Sequence, residues 1–107
     1  MTNTVLNQNE YESAVADNDW VLLDFWAPWC GPCKSMGPVF EAIAEERTEE
    51  LFAAKVDVDE FGDLAVKFNV RGVPTLALVH KGKAVSQLVG AQPKSAIDKW
   101  IGEQLAS

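Results

Sequence analysis

Two cysteines separated by a glycine and a proline are the residues of this sequence best suited to covalent chemistry. The segment Cys30-Gly31-Pro32-Cys33 lies between an apolar run and the start of a predicted helix, a context that favours redox chemistry. Residues three apart on a helical turn have Cβ atoms roughly 5–6 Å apart, which is close enough for a disulfide. Because closing so short a loop removes little entropy from the unfolded chain, this bond would stabilise weakly and is better suited to being exchanged.

The two sulfurs of this pair are expected to have different roles. Cys30 is placed at the helix N-terminus, where unpaired N–H groups and the helix dipole favour a thiolate. Gly31 allows close approach of another backbone, and Pro32 fits the first turn without losing a hydrogen-bond donor. Cys33 lies one turn deeper and is expected to be shielded. We therefore assign Cys30 as the nucleophile and Cys33 as the resolving thiol.

Other interpretations of the cysteine pair are a structural disulfide, packed free thiols, a zinc site or a cysteine–histidine enzyme. Zinc needs four ligands, and His80 is the only other soft candidate. The same histidine would have to serve a Cys–His or Ser–His–Asp enzyme. It lies near a predicted strand end at a turn, so we interpret it as a surface residue.

Composition predicts one globular domain covering residues 1–107. Apolar residues make up 48% of the chain and charged residues 23%, and no apolar run approaches the roughly 18 residues of a membrane span. The net charge of −7 is concentrated in residues 41–63, which hold nine acids against two bases, and this acidity argues against nucleic-acid or anionic-membrane binding. The first residues lack the features of a secretory signal, so a cytoplasmic location is expected.

Hydrophobic periodicity predicts nine elements in the order βαβαβαββα. The apolar run over residues 20–27 suits a strand buried on both faces. Strands one to three should be parallel, with helical connections, and strands four and five antiparallel, which makes an α/β fold with a mixed five-stranded sheet flanked by four helices. The predicted strands cover residues 4–6, 20–27, 52–58, 75–79 and 84–89; the predicted helices cover residues 8–17, from the cysteines to about 47, 60–68, and from 93 to about 105.

Local signals define several ends of these elements. Asn7 followed by Glu10 is typical of a capping box that opens the first helix. Asp59 is predicted to cap the third helix, and Pro93 suits the first position of the last one. Lys81-Gly82 is expected to form the turn of the final hairpin.

Six ordered motifs are spread from the second strand to the end of the fifth. They are Asp24-Phe25-Trp26-Ala27, Trp29-Cys30-Gly31-Pro32-Cys33-Lys34, Pro38, Lys55-Val56-Asp57-Val58-Asp59, Arg71-Gly72-Val73-Pro74-Thr75 and Val89-Gly90-Ala91. Together these motifs resemble those of the thioredoxin family. The similarity covers essentially the whole chain and implies the thioredoxin fold, reduction of disulfides in target proteins, and recycling by an NADPH-linked thioredoxin reductase. It also implies a monomer without a bound cofactor or metal, and a cis Val73–Pro74 bond that faces the cysteines.

Asp24 is the most informative residue after the cysteines. A carboxylate inside the apolar strand would be buried, and burial raises the pKa of an acid by disfavouring its charged form. Such an acid can accept the proton of Cys33 when that thiol must attack. Lys55 resembles the family's partner for this acid and is expected to modulate it. The alternatives are a hydrogen-bonded polar residue at position 24 and a surface lysine at position 55.

An apolar rim around Cys30 is the predicted substrate-binding surface. A substrate in extended form is expected to pair with the backbone of Val73, while Trp26 packs beneath the site. Gly37 stands where the family often has alanine and should loosen its helix by up to roughly 1 kcal/mol. The segment Val79-His80-Lys81 also departs from the usual pattern. The rim residues are Trp29, Gly31, Pro32, Val58, Gly72, Val73, Gly90 and Ala91.

Two rival functions share these features. An oxidant or isomerase of the same fold would carry the same cysteines, although the Gly-Pro spacer favours a reductase. A binding subunit would use the apolar rim and carry its cysteines incidentally. Replacing both Cys30 and Cys33 by serine discriminates the second rival, since a binding subunit would keep its biological role.

Overall fold

The computed structural model describes residues 3, 4 and 7–107 and contains one five-stranded sheet with four helices. The element order βαβαβαββα is the predicted one. The strands are β1 (Asn3–Thr4), β2 (Trp20–Trp26), β3 (Phe52–Asp57), β4 (Thr75–His80) and β5 (Lys83–Val89); the helices are α1 (Gln8–Asp17), α2 (Gly31–Glu46), α3 (Gly62–Lys67) and α4 (Lys94–Ala106).

The sheet has the strand order β1-β3-β2-β4-β5, which places β2 at its centre. Strand β3 pairs in parallel with β1 and β2, whereas β4 pairs antiparallel with both β2 and β5. This mixed pairing confirms the predicted α/β class. Residues 21–25 of the central strand are all buried, as expected for a strand covered on both faces.

Two apolar clusters pack against opposite faces of the sheet. One joins α2 and α4 to β2 and β4 through residues such as Phe40, Ile97 and Leu22. The other joins α1 and α3 to the sheet through Tyr11 and Leu64. Because alternate strand residues point to opposite faces, the central strand contributes to both clusters. None of the helices within residues 7–107 is long and apolar enough to cross a membrane.

The first helix begins where the capping box predicts. The Asn7 side chain accepts a hydrogen bond from the backbone N–H of Glu10 at 2.9 Å and donates one to the Glu10 carboxylate at 3.2 Å. The turn of the final hairpin also matches, with positive φ values of 51° at Lys81 and 83° at Gly82. Glycine at the second position fits a two-residue turn of this kind.

Three predicted boundaries were wrong or lie outside the described residues. Strand β1 covers Asn3–Thr4 instead of residues 4–6, and residues 5 and 6 lie outside the described part. Helix α3 begins at Gly62 with Phe61 as its N-cap, so Asp59 does not cap it. Pro93 has an extended backbone with ψ 154° and is the N-cap of α4, because its ψ precludes a first helical position.

His80 differs from its predicted surface position. It is half-buried at the end of β4, and its ring stacks on Trp20 with centroids 4.0 Å apart and an interplanar angle of 7°. The two residues are register partners in the β2–β4 ladder, which brings their side chains onto the same face. His80 therefore packs at the end of the sheet opposite to the carboxyl end of β2.

Candidate active site

The cysteine pair lies at the N-terminus of α2, directly after β2, and is present as a disulfide. Cys30 and Cys33 have Cα atoms 5.3 Å apart. Cys30 is the N-cap residue of α2, and its Sγ accepts a hydrogen bond from the backbone N–H of Cys33 at 3.2 Å. The helix N-terminus therefore directs a backbone donor at the sulfur of Cys30, which favours negative charge on that atom.

Solvent exposure does not distinguish the two cysteines in this oxidised state. Cys33 is 7% exposed, which confirms that it is shielded, but Cys30 is only 4% exposed, so the expectation of an accessible nucleophile was wrong for the oxidised state. Each sulfur covers the other when the bond is closed, and Trp26, Val58 and Val73 pack against the pair. The asymmetry of the pair is electrostatic: Cys30 has the helix N-terminus, whereas Cys33 lies inside the first turn.

Asp24 is buried in the middle of β2, on the sheet face that α2 covers. It is 2% exposed, and its Oδ1 atom has no hydrogen-bond partner among the described residues. Burial raises the pKa of this carboxyl to about 6, while the positive charge of Lys55 opposes the rise. The carboxyl group therefore changes protonation about one pH unit below neutral, which is compatible with the proton exchange predicted for it.

Lys55 is adjacent to Asp24 on the neighbouring strand. The two residues are register partners in the parallel β2–β3 ladder, and the Lys55 ammonium lies 5.2 Å from the centroid of the Trp26 ring. The lysine is half-buried, and its positive charge lowers the pKa of Asp24. Trp26 packs beneath the disulfide as expected, and its buried Nε1 atom has no partner in the described part of the chain.

The Val73–Pro74 peptide bond is cis, as the family resemblance implied. Val73 packs against the cysteine pair, which places this loop beside the disulfide. The carbonyl of Pro74 accepts a hydrogen bond from the N–H of Gly90 at 2.8 Å, and the Thr75 hydroxyl donates to the Gly72 carbonyl at 2.7 Å. These bonds hold the segments containing Gly72, Val73 and Gly90 together.

A small groove beside the disulfide collects half of the predicted rim. The Trp29 groove, of about 160 Å³, joins Trp29, Val58, Gly72 and Val73 to three residues that sequence reasoning missed. These three are Ala65, Val70 and Arg71, of which only Arg71 stood in a motif. The other rim residues lie outside the groove: Gly31 and Pro32 are exposed in the first turn of α2, Gly90 contacts Pro74, and Ala91 is exposed beyond it.

The most exposed aromatic ring of the site is held by a hydrogen bond. Trp29 is 69% exposed, yet its Nε1–H donates to Oδ2 of Asp59 at 2.9 Å. The backbone N–H of Asp59 in turn donates to Asp57 at 2.9 Å. Asp59 thus interacts with a residue 30 positions away and lies two residues before Phe61, the N-cap of α3.

A second depression opens on the side of Cys33. This Cys33 cleft encloses about 260 Å³ and is mostly apolar. It shares no lining residue with the Trp29 groove. Within the described ranges, no three His, Cys, Asp or Glu side chains converge as metal ligands would, so the zinc alternative gains no support. The lining of the cleft includes Trp26, Pro28, Cys33, Lys34, Gly37 and Lys55.

Comparison with known proteins decides the family. A family model described as Thioredoxin matches residues 2–103. The chain belongs to the thioredoxin family. A thioredoxin from Chlorobaculum thiosulfatiphilum is 42% identical over 96 residues, which cover 89% of each chain. A thioredoxin from Bacillus subtilis is 42% identical over 93 residues, covering 87% of this chain and 89% of the relative.

Solved thioredoxin structures agree with this assignment. A mutant thioredoxin from Halobacterium salinarum superposes with a TM-score of 0.89 at 43% identity, over 95% of this chain and 88% of that chain. Thioredoxin from Plasmodium falciparum superposes with a TM-score of 0.88 at 35% identity, over 95% of this chain and 98% of that chain. As a thioredoxin-family member with the Cys30–Cys33 pair, the chain is a thiol–disulfide oxidoreductase that reduces disulfides in target proteins and is recycled by a thioredoxin reductase.

Proposed function

We propose that Cys30 is the nucleophile of this reaction and Cys33 the resolving thiol. The Cys30 thiolate attacks one sulfur of a target disulfide; a Cys30–target bond forms, the target's own S–S bond breaks, and its other sulfur leaves as a thiolate that takes up a proton. The observation that carries this order is the hydrogen bond from the N–H of Cys33 to the Sγ atom of Cys30 at the start of α2.

The second step transfers the oxidation to the cysteine pair. Cys33 loses its proton to the Asp24 carboxylate and attacks the Cys30 sulfur. The Cys30–Cys33 bond forms, the Cys30–target bond breaks, and the target sulfur leaves as a thiolate that takes up a proton, so that the target is released as a dithiol. The pKa of Asp24, raised to about 6 by burial, supports this proton transfer near neutral pH. Lys55 modulates the acid through its charge, since it keeps that pKa from rising further.

Substrate binding is assigned to the apolar rim and the loop before β4. The Gly31-Pro32 spacer gives a target close access to Cys30, and the cis Pro74 lies next to the Val73 backbone that pairs with the substrate. Trp29, Val58, Gly72 and Val73 support this through their common groove. Gly90 and Ala91 extend the rim, with Gly90 bonded to Pro74.

We further propose that residues 1–107 form a single domain that acts as a cytoplasmic monomer without a bound cofactor. A dithiol that must be regenerated each cycle needs a reducing compartment. Reduction of the Cys30–Cys33 disulfide requires two electrons, and NADPH supplies these through the reductase. The net charge of −7 supports a monomer because like-charged copies repel one another.

Trapping experiments with serine variants test the two cysteine roles. With NADPH, a thioredoxin reductase and an insulin-type disulfide substrate, Cys33→Ser should accumulate a mixed disulfide through Cys30, whereas Cys30→Ser should form none. Alkylation of the reduced protein at mildly acidic pH should label Cys30 before Cys33. Faster labelling of Cys33, or a mixed disulfide through Cys33 in wild-type protein, would reverse the assignment. A double serine variant that kept its biological role would favour a binding subunit.

A further inference from the structure

The Cys33 cleft combines apolar walls with two positive charges and lies apart from the groove proposed to bind targets. The ring of Trp26, the ring of Pro28 and the bare backbone of Gly37 leave room for a flat apolar group. An ideal Cβ at Gly37 would meet nothing within 4 Å, so this position is open space rather than a tight backbone contact. Small-molecule sites have this character: mostly apolar, with a few polar groups that fix orientation.

The charged groups at this cleft are of one sign. Lys34 and Lys55 both line it, and no acidic residue does. Neither lysine forms an ion pair within the part of the chain that the structure describes. Asp24, the register partner of Lys55, interacts with the charge of this lysine but does not line the cleft. In a chain with a net charge of −7, two cations beside an apolar depression favour a ligand that is negatively charged at one end and apolar at the other.

We propose that the Cys33 cleft binds small aromatic carboxylates. The aromatic ring packs against Trp26 and fills the space that Gly37 leaves open, and the carboxylate interacts with the ammonium groups of Lys34 and Lys55. Binding is weak, with a dissociation constant on the order of 1–10 mM, because the ligand has few atoms and the lysines are accessible to water.

A carboxylate bound in this cleft also affects the reaction, and this part rests on the proposed role of Cys33. A negative charge beside Cys33 disfavours the thiolate form of this residue. The release of the target from the mixed disulfide therefore slows, while the first attack by Cys30 does not involve the cleft. The ligand acts as an inhibitor of the second step.

Binding is tested on the oxidised wild-type protein, so that the result does not depend on the proposed roles of Cys30 and Cys33. Titration with 3-phenylpropionate, followed by backbone amide NMR, should shift the signals of Lys34, Gly37 and Lys55. The neutral 3-phenylpropionamide, which has the same shape, should bind more weakly. Equal affinity for the two probes, or shifts confined to other residues, would overturn the proposal. No shift at concentrations well above about 10 mM, the upper limit of the expected range, would do the same.

Two variants locate the ligand within the cleft. Gly37→Leu places a side chain into the open space and should abolish the shifts, whereas the matched Gly102→Leu on α4, where a Cβ also meets nothing within 4 Å, should leave them unchanged. Lys34→Gln should weaken binding about two- to fivefold, the usual effect of losing one exposed ion pair. Undiminished binding by Gly37→Leu would show that the ligand lies elsewhere and overturn the assignment.

The kinetic effect is measured separately, as release of a labelled target from its mixed disulfide with Cys30. Saturating 3-phenylpropionate should slow release, the amide should not, and Gly37→Leu should remove the difference. An unchanged release rate together with confirmed binding would overturn the inhibition but leave the site. Trapping of the target on Cys33 instead would overturn the proposed roles of the two cysteines. The binding titration would be unaffected by that result, because it does not depend on which cysteine attacks the target.

Discussion

Replacing Asp24 by asparagine should raise the stability of this protein and lower its turnover at neutral pH. Asparagine has nearly the shape of a protonated aspartic acid but cannot ionise. In the native protein the pKa of Asp24 is raised from 3.8 to about 6 by burial. The native state therefore binds this proton more tightly than the unfolded state does, and stability falls as the pH rises from about 4 to about 6.

The size of the stability difference follows from the shift of the Asp24 pKa between the unfolded and the native state. A shift of about two units corresponds to about 3 kcal/mol of stability that is present below the unfolded-state pKa and lost once the pH exceeds about 6. The Asp24→Asn variant does not lose this stability, because asparagine does not ionise. Its free energy of unfolding should therefore exceed that of the wild type by about 3 kcal/mol at about pH 8. Near pH ~3.5, where Asp24 is largely neutral in both states, the two proteins should have about the same stability.

Turnover should change in the opposite direction. Without a carboxylate at position 24, the proposed mechanism requires Cys33 to give its proton to water. We expect disulfide reduction at pH 7 to slow about tenfold, which is less than the usual ~10²–10⁴-fold effect of a general base, because Cys33 lines a cleft wide enough for water molecules. The defect should shrink at alkaline pH, where the thiol ionises unaided.

Urea unfolding of the oxidised proteins at the two pH values gives the stability difference, and an insulin reduction assay gives the rates. Asp19→Asn, which removes a carboxylate outside the core, is the control and should change stability by no more than about 0.5 kcal/mol at either pH. Equal stability of Asp24→Asn and wild type at pH 8 would refute the desolvation argument. Equal turnover at pH 7 would remove Asp24 from the reaction.

Three further predictions concern glycines and the tryptophan of the groove. Gly37→Ala should raise the free energy of unfolding by about 0.5–1 kcal/mol in urea, since alanine is the better helix former and its Cβ meets nothing within 4 Å; a destabilised variant would contradict this. Gly82→Ala should lower it by about 1 kcal/mol, because φ is 83° there, and an unchanged midpoint would show that the turn adapts. Asp59→Ala should raise KM for disulfide peptides a fewfold with little change in kcat, because Trp29 loses its acceptor, whereas Asp59→Asn should retain activity; identical KM values for both variants would refute a positioning role.

The parts of the fold that were predictable depend on short-range signals. The apolar run of β2 and the capping pair Asn7–Glu10 act within a few residues, and both elements lie where these signals place them. Asp59 shows the limit of such reasoning. It has the right residue type for a helix cap, but α3 begins only at Gly62, and the Asp59 carboxylate instead accepts a hydrogen bond from Trp29, a contact that only the folded chain creates.

In the site, too, the features with local sequence signals were predictable and the others were not. The position of the cysteine pair was predictable because its spacing and sequence context indicate a helix N-terminus. The burial of Asp24 was predictable because the residue lies within an apolar strand. The cis geometry of Val73–Pro74 was expected only from the family resemblance, since an X–Pro bond in a folded protein is cis in about 5–6% of cases. Ala65 and Val70 enter the Trp29 groove through packing of α3 beside the loop that precedes β4, which no local pattern reports.

The environment of Asp24 reconciles two requirements that conflict in water. A proton acceptor for a thiol needs a pKa well above that of an ordinary aspartate, yet it must still be ionised at neutral pH to accept the proton. Burial alone would raise the pKa further and keep the group neutral, and the charge of Lys55 on the next strand opposes this, leaving the pKa at about 6. The register of β2 and β3 sets that balance, because it places the lysine beside the acid. The same burial makes the ionised carboxylate destabilising. The proposed proton transfer therefore depends on a group that burial alone would keep neutral.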